Sequence, residues 1–197
     1  MSTQYESLKD ADLYRNAFRV EPPAELGERQ ITPRKSSFFI ARTLTGATDT
    51  ENAAARAALL EASAESTATS DAPATPAAAP THIRLLSPGQ FGLVPHWVKS
   101  ASDAKLRASK LVNVKSDNAS TGTPFRDAWL NNQRCIIPMM AFITEDYRNG
   151  PKGQPTRIAR VDGLPMGVAG VWSRWKDPED GTELLSFTII TIHANAH

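Results

Sequence analysis

Four short words in this chain mix core-like residues with polar side chains that suit a binding surface better than an interior. They are Phe91-Gly92-Leu93-Val94-Pro95-His96-Trp97, the stretch Leu111–Ser120, Phe125-Arg126-Asp127-Ala128-Trp129, and Arg134–Phe142. By composition and spacing alone they give no more than an α+β domain with a basic middle. Between Arg84 and Arg160 there are twelve Lys/Arg against five Asp/Glu, an asymmetry that a phosphate-binding face needs. The same asymmetry also describes a solvated basic surface. Likewise, Asn113 fits the turned end of a strand, and Trp97 fits an ordinary core.

Other chemistries find little support. The four histidines, His82, His96, His193 and His197, lack a ligand spacing such as HExxH, so no metal site and no cofactor is expected. One cysteine, Cys135, forms no intramolecular disulfide and no Cys-rich metal cluster. There is no Gly-rich phosphate loop, no GxSxG and no Ser/His or Cys/His set for a general peptidase. No run of about 18 apolar residues is found, so no membrane span is expected. The first twenty residues are polar and unlike a signal peptide. A monomer in a reducing, cytoplasmic compartment is the expectation.

A chain of 197 residues with 41% hydrophobic content suits one domain with a sizeable core. Ser7-Leu8-Lys9-Asp10 reads as a capping box that opens a helix with Leu8, Ala11, Tyr14, Ala17 and Phe18 on one face. Ser36–Arg42 is a short buried strand. Residues 46–80 contain fourteen alanines, with Thr, Ser and Pro filling most of the remainder. This marks 46–81 as an insertion dividing the domain into 1–45 and 82–197. His82–Leu86 and Gln90–Val94 read as a strand pair around Ser87-Pro88-Gly89, and Asp103–Lys110 as a basic helix. Leu111–Lys115 is extended and leads into a polar loop. Thr123-Pro124 starts a further helix, with Thr as N-cap. Strands follow at Arg134–Ile137 and Ala141–Thr144, separated by Pro138, then at Thr156–Val161, Met166–Trp172 and Leu184–Ile192. The fold class is α+β: a mainly antiparallel sheet or open barrel with two or three short helices. Were the chain a truncated copy, its unfinished sheet would expose Leu184–Ile192 as an edge strand.

The four words, in this order, resemble the SOS-response-associated peptidase (SRAP) family of abasic-site-processing proteins. Phe91–Trp97 is similar to that family's WGLxPxW, Asn113-Val114-Lys115-Ser116-Asp117 to NAR-x-E, Phe125–Trp129 to FR-x-A-W, and Arg134–Pro138 to RC-x-x-P. Gly163–Trp172 and Leu185–Thr191 also look like it, so the resemblance covers most of 1–45 and 82–197. It implies a domain that binds single-stranded DNA at an abasic site. There the N-terminal Cys left by removal of Met1 forms a thiazolidine with the sugar aldehyde. An α-amine of pKa ~8 attacks the aldehyde and a thiolate closes the ring. By the same resemblance Asn113 is an active-site amide, Trp97 part of an aromatic wedge shaped by Pro95 and His96, and Lys115 a phosphate ligand in place of Arg.

The chain departs from the pattern where covalent chemistry would occur. Ser2 stands in place of the nucleophilic Cys and leaves an amine able to form a reversible imine. The family's Glu falls at Thr144, and Glu145, the candidate catalytic carboxylate, lies one residue further on. An unbroken strand points it to the opposite face, and a bulge would bring it back. The family's His lies in a word beyond Asn195, and His197 is too early to be it. A copy impaired in catalysis and apparently truncated at its C-terminus is therefore expected, with a non-catalytic single-stranded DNA-binding module or a degenerate fragment as alternatives. Asp117 is read as a structural partner in its loop, His193 as structural, and Cys135 as buried. Trp129, Trp172 and Trp175 are assigned to core or rim.

Overall fold

A computed structural model of the chain describes residues 4–42 and 84–193. Ser2, His197 and the Ala-rich stretch read as an insertion lie outside the described residues. Chain order is β1 (Gln4–Glu6), α1 (Ala11–Phe18), β2 (Gln30–Ile31), β3 (Ser36–Arg42), β4 (Arg84–Phe91), α2 (Ala101–Lys110) and β5 (Asn113–Lys115). Then come α3 (Ser116–Ala119), α4 (Thr123–Leu130), β6 (Arg134–Met139), β7 (Ala141–Asp146), β8 (Gln154–Ala159), β9 (Met166–Lys176) and β10 (Glu183–Thr191).

Two sheets organise these elements. One runs β4-β3-β6-β9-β10-β5, and an added pairing of β4 with β10 closes five of its strands into a barrel-like ring. The other is antiparallel, in the order β2-β1-β7-β8. The fold is thus α+β and mainly antiparallel, with parallel pairs where β10 meets β4 and β5. The core fills the ring with Phe39, Phe91, Cys135, Ile137, Trp172 and Phe187, and Tyr5 joins it from the second sheet. Tyr5 and Phe91 meet edge to face at 5.1 Å between centroids, a favoured aromatic geometry. The Phe38-Phe39-Ile40 run is continuous because both faces of β3 are covered: Phe39 lies in the barrel core, and Phe38 and Ile40 lie under α1 with Tyr14.

Several local expectations are corrected by longer-range pairing. Residues 84–91 are one strand, with no turn at Pro88-Gly89. Antiparallel pairing with β3 runs unbroken from Arg42↔Arg84 to Ser36↔Gln90. β10 joins the other edge of β4 only at Gln90, so Pro88 costs no ladder bond there. Pro138 likewise sits inside β6, paired with Gly167. The break comes at Met140, whose N–H donates to the Glu6 carbonyl and carries the chain into the second sheet. No capping box forms at α1. Asp10 holds the cap position without a side-chain hydrogen bond, while Ser7 Oγ donates to the Glu28 carbonyl at 2.6 Å. At α4 the cap is Gly122, one residue before the expected Thr123.

The last strand is not an edge. β10 pairs along one side with β9 from Glu183 to Ile189. Its other side pairs first with Gln90 and Phe91 of β4 and then with Asn113, Val114 and Lys115 of β5.

Candidate nucleic-acid-binding site

The handover along β10 creates the site region. Gly92 N–H donates to the Phe187 carbonyl and ends the contact of β4 with β10, and Ile189 N–H donates to the Val112 carbonyl as β5 arrives. Between these points the chain leaves as the Leu93–Trp97 loop, crosses α2 and returns. Leu93 N–H bonds the Leu111 carbonyl at 2.9 Å, and Val94 N–H bonds Ser186 Oγ at 2.8 Å. Two of the sequence words are therefore adjacent on one strand edge, though separated by α2 in sequence.

The remaining words lock onto them. His96 Nε2 lies 2.8 Å from Asp127 Oδ2, joining the loop to α4. The Arg134 guanidinium lies over the Trp129 ring at 4.2 Å, joining the third word to the fourth. Residues 127 and 129 are about 200° apart around a helix, so these two contacts sit on opposite flanks of α4. Phe125 and Ala128 fill the space beneath it with Leu93, Val114 and Val171.

Each sequence-derived residue can now be placed. Asn113 is half-buried on β5 beside Ile189, and Lys115 is exposed at the end of that strand. Trp97 is half-buried against Val94, Val98, Ala104 and Ala108, with the Arg107 guanidinium 4.7 Å from its ring centroid. It is therefore neither a full core residue nor a freely exposed ring. Pro95, read as part of the DNA-binding loop, is buried. Asp117 is exposed, and its carboxylate accepts from Ser116 Oγ. His193 lies beyond the end of β10 and is exposed, not on the strand.

β7 is unbroken. Its register with β8 runs from Ala141↔Ala159 to Asp146↔Gln154 without a bulge, so strand alternation decides which face each side chain takes. Thr144 shares a face with Phe142, which packs on the barrel core. Glu145 takes the other face, is exposed, and accepts a hydrogen bond from the Tyr147 hydroxyl. Phe142 and Tyr5 are register partners, so position 144 lies on the same side as the barrel core and Glu145 does not.

The basic asymmetry of the sequence is narrowed by pairing. Asp103 neutralises Arg107, Asp146 Arg148, Glu6 Arg157, and Asp162 Arg160. Arg126 lies 3.9 Å from Asp127. Arg84, Lys99, Lys105, Lys110, Lys115, Arg134 and Lys152 remain, all exposed and without a carboxylate at ion-pair distance among the described residues. Four of them, Lys99, Lys105, Lys110 and Lys115, lie on α2 and the segments flanking it.

Cys135 is buried in the barrel, and burial pushes its thiol well above the usual range. Burial does the same to the Tyr5 phenol, which Ser37 approaches without hydrogen-bond geometry. Among the described residues no group of three His, Cys, Asp or Glu can hold a metal, and no helix is long and apolar enough to cross a membrane. The contacts that sequence reasoning missed are those of His96, Arg107 and Arg134. Only the four-residue spacing of Asp103 and Arg107 was a visible signal.

A family model described as SOS response associated peptidase (SRAP) matches residues 30–197. The abasic site processing protein HMCES of Gallus gallus is 26% identical over 130 residues, covering 57% of this chain and 38% of that protein. The chain thus spans well under half the length of the curated relatives it matches. A crystal structure of a Bordetella bronchiseptica protein is similar with a TM-score of 0.67 and 28% identity, over 98% of this chain and 72% of the other. One from Bacteroides thetaiotaomicron is similar over 56% of this chain and 47% of the other, with a TM-score of 0.51 and 30% identity.

Proposed function

The chain belongs to the SOS response associated peptidase family, and from that premise we propose that it binds single-stranded DNA at abasic sites with impaired covalent capture. Trp97 stacks on a base beside the lesion, Asn113 hydrogen-bonds the sugar, and Lys115 holds a phosphate. The observation carrying this reading is the adjacency of the Trp97 loop and the Asn113 strand on one edge of β10, beside a cluster of unpaired lysines. Residues 1–45 and 82–197 make one such domain, with 46–81 inserted between β3 and β4.

Capture through the N-terminus is limited to an imine. With Met1 removed, the Ser2 amine condenses with the sugar aldehyde and releases water. A hydroxyl in place of a thiolate then closes no stable ring. Thr144 cannot replace a carboxylate in proton transfer, and the Glu145 carboxylate is on the other face of β7 with Tyr147.

The test mixes the protein with single-stranded DNA carrying one abasic site, with and without borohydride, followed by denaturing electrophoresis. Trapping with borohydride alone is expected. A band that survives denaturation without reductant overturns the impairment. No band under either condition, with salt-dependent binding that ignores the aldehyde and weakens in Lys115→Ala, replaces this reading with the non-catalytic module. The Glu145–Tyr147 pairing favours that second reading, because it engages the carboxylate adjacent in sequence to position 144.

A further inference from the structure

The two Trp rings that carry an Arg differ in one respect. Arg134 over Trp129 has no carboxylate at ion-pair distance among the described residues. Arg107 over Trp97 does: its Nε lies 3.0 and 2.9 Å from the two Asp103 carboxylate oxygens. Asp103 is itself fixed in the first turn of α2, where its N–H donates to the capping Ser100 Oγ at 3.2 Å. Cap, carboxylate, guanidinium and indole therefore form one chain of contacts from the start of α2 to the Trp97 ring.

We propose that Arg107 is a positioning residue that holds the Trp97 indole in one orientation for stacking on a base of single-stranded DNA. This rests on the reading of Trp97 given above. The guanidinium closes one face of the ring, and Val94, Val98, Ala104 and Ala108 enclose part of the remainder. A base then meets a half-buried ring that needs no reordering, and such preorganisation reduces the cost of binding. Asp103 neutralises the guanidinium and engages its Nε, so Arg107 acts through Trp97 and contributes no phosphate contact. Gly92 supports the arrangement from behind. At φ +115° it lets the backbone pass under α2 at Ala108, one residue from Arg107, where a Cβ would stand 2.2 Å from the carbonyl oxygen.

The experiment measures the affinity of the full chain for a fluorescein-labelled single-stranded oligonucleotide containing one abasic site, by anisotropy at several salt concentrations. Trp97→Ala is expected to weaken binding about tenfold, and Arg107→Leu about threefold with the salt slope unchanged. The double variant is expected to bind like Trp97→Ala alone, because both substitutions remove the same contact. Arg107→Lys keeps the charge and the helix propensity but loses the planar stack, so it is expected to weaken binding as Arg107→Leu does. It decides the matter if Arg107→Leu fails to fold.

Arg107 variants that leave affinity unchanged while Trp97→Ala lowers it overturn the inference and spare the functional reading. A salt slope lowered by about one in Arg107→Leu, with additive losses in the double variant, also overturns it by making Arg107 a phosphate ligand. Unchanged binding in Trp97→Ala overturns both.

Discussion

Replacing Gly92 by alanine should destabilise the protein more than its position in a surface-leading loop suggests. Gly92 has φ +115°, and an added Cβ would lie 2.2 Å from the Ala108 carbonyl oxygen and 2.9 Å from its carbon. Both atoms belong to the backbone of α2, so no rotamer change relieves the overlap and the helix must retreat by about 1 Å to regain ordinary contact. Backbone strain at such a φ costs about 1–3 kcal/mol, and forcing atoms into a packed region costs about 1–3 kcal/mol more. A combined loss of about 4 kcal/mol corresponds to a fall in Tm of about 12 °C for a domain of this size. Gly163→Ala is the control. Its φ is +72° and nothing lies within 4 Å of the added Cβ, so only conformational strain of about 1–2 kcal/mol is expected. Urea unfolding and thermal melts of both variants read the difference directly. Equal losses in the two would refute the close approach of the Gly92 backbone to α2.

Three further outcomes are expected. Trp175→Phe removes the buried bond from the indole N–H to the Val98 carbonyl, 2.7 Å long. It should cost about 1–3 kcal/mol in urea unfolding, and a change within error of zero would show that Val98 finds another donor. Cys135, buried with its thiol pushed up, should resist a thiol reagent at pH 8 in the folded protein and react fully in denaturant; rapid labelling of the native state would contradict the barrel packing. Arg160 and the Leu164 N–H hold the Asp162 carboxyl down at about 2, from an ordinary 3.8. This depressed carboxylate contributes its stabilisation fully above pH ~4 and loses it as the pH falls toward about 2. Carbon-13 titration should show the low midpoint, and Arg160→Gln should raise it; a midpoint unmoved by that change would assign the shift to the backbone alone.

Elements whose stability is set within a few residues were legible. β3 was read with its observed bounds, because its apolar run has no helical alternative. The last strand was placed within a residue at each end, and the Thr123-Pro124 helix start was seen although its cap is Gly122. β1 and β2 were missed. At three and two residues they carry no periodic signal, and they exist because β7 and each other supply their hydrogen bonds. Pro88 and Pro138 misled for the opposite reason. Each reads locally as a break, yet each sits in a strand where the neighbouring ladder tolerates a missing donor.

The site shows the same division. The order of the four words, and the parity that sets Thr144 and Glu145 on opposite faces, follow from sequence, because strand alternation is a local rule. The tertiary structure decided how the words touch: His96 on Asp127, Arg134 on Trp129, and Leu93 on Leu111. It also decided which charges stay available, by pairing Arg148, Arg157 and Arg160 away from the lysines of α2. It buried Pro95, covered Trp97 with Arg107, and gave β10 a partner on both sides. The physical reason is distance along the chain. His96 and Asp127 are 31 residues apart, and Glu6 and Arg157 are 151 apart. Residue spacing encodes backbone geometry over a few positions, whereas burial and charge pairing depend on which distant segments the closed barrel brings together.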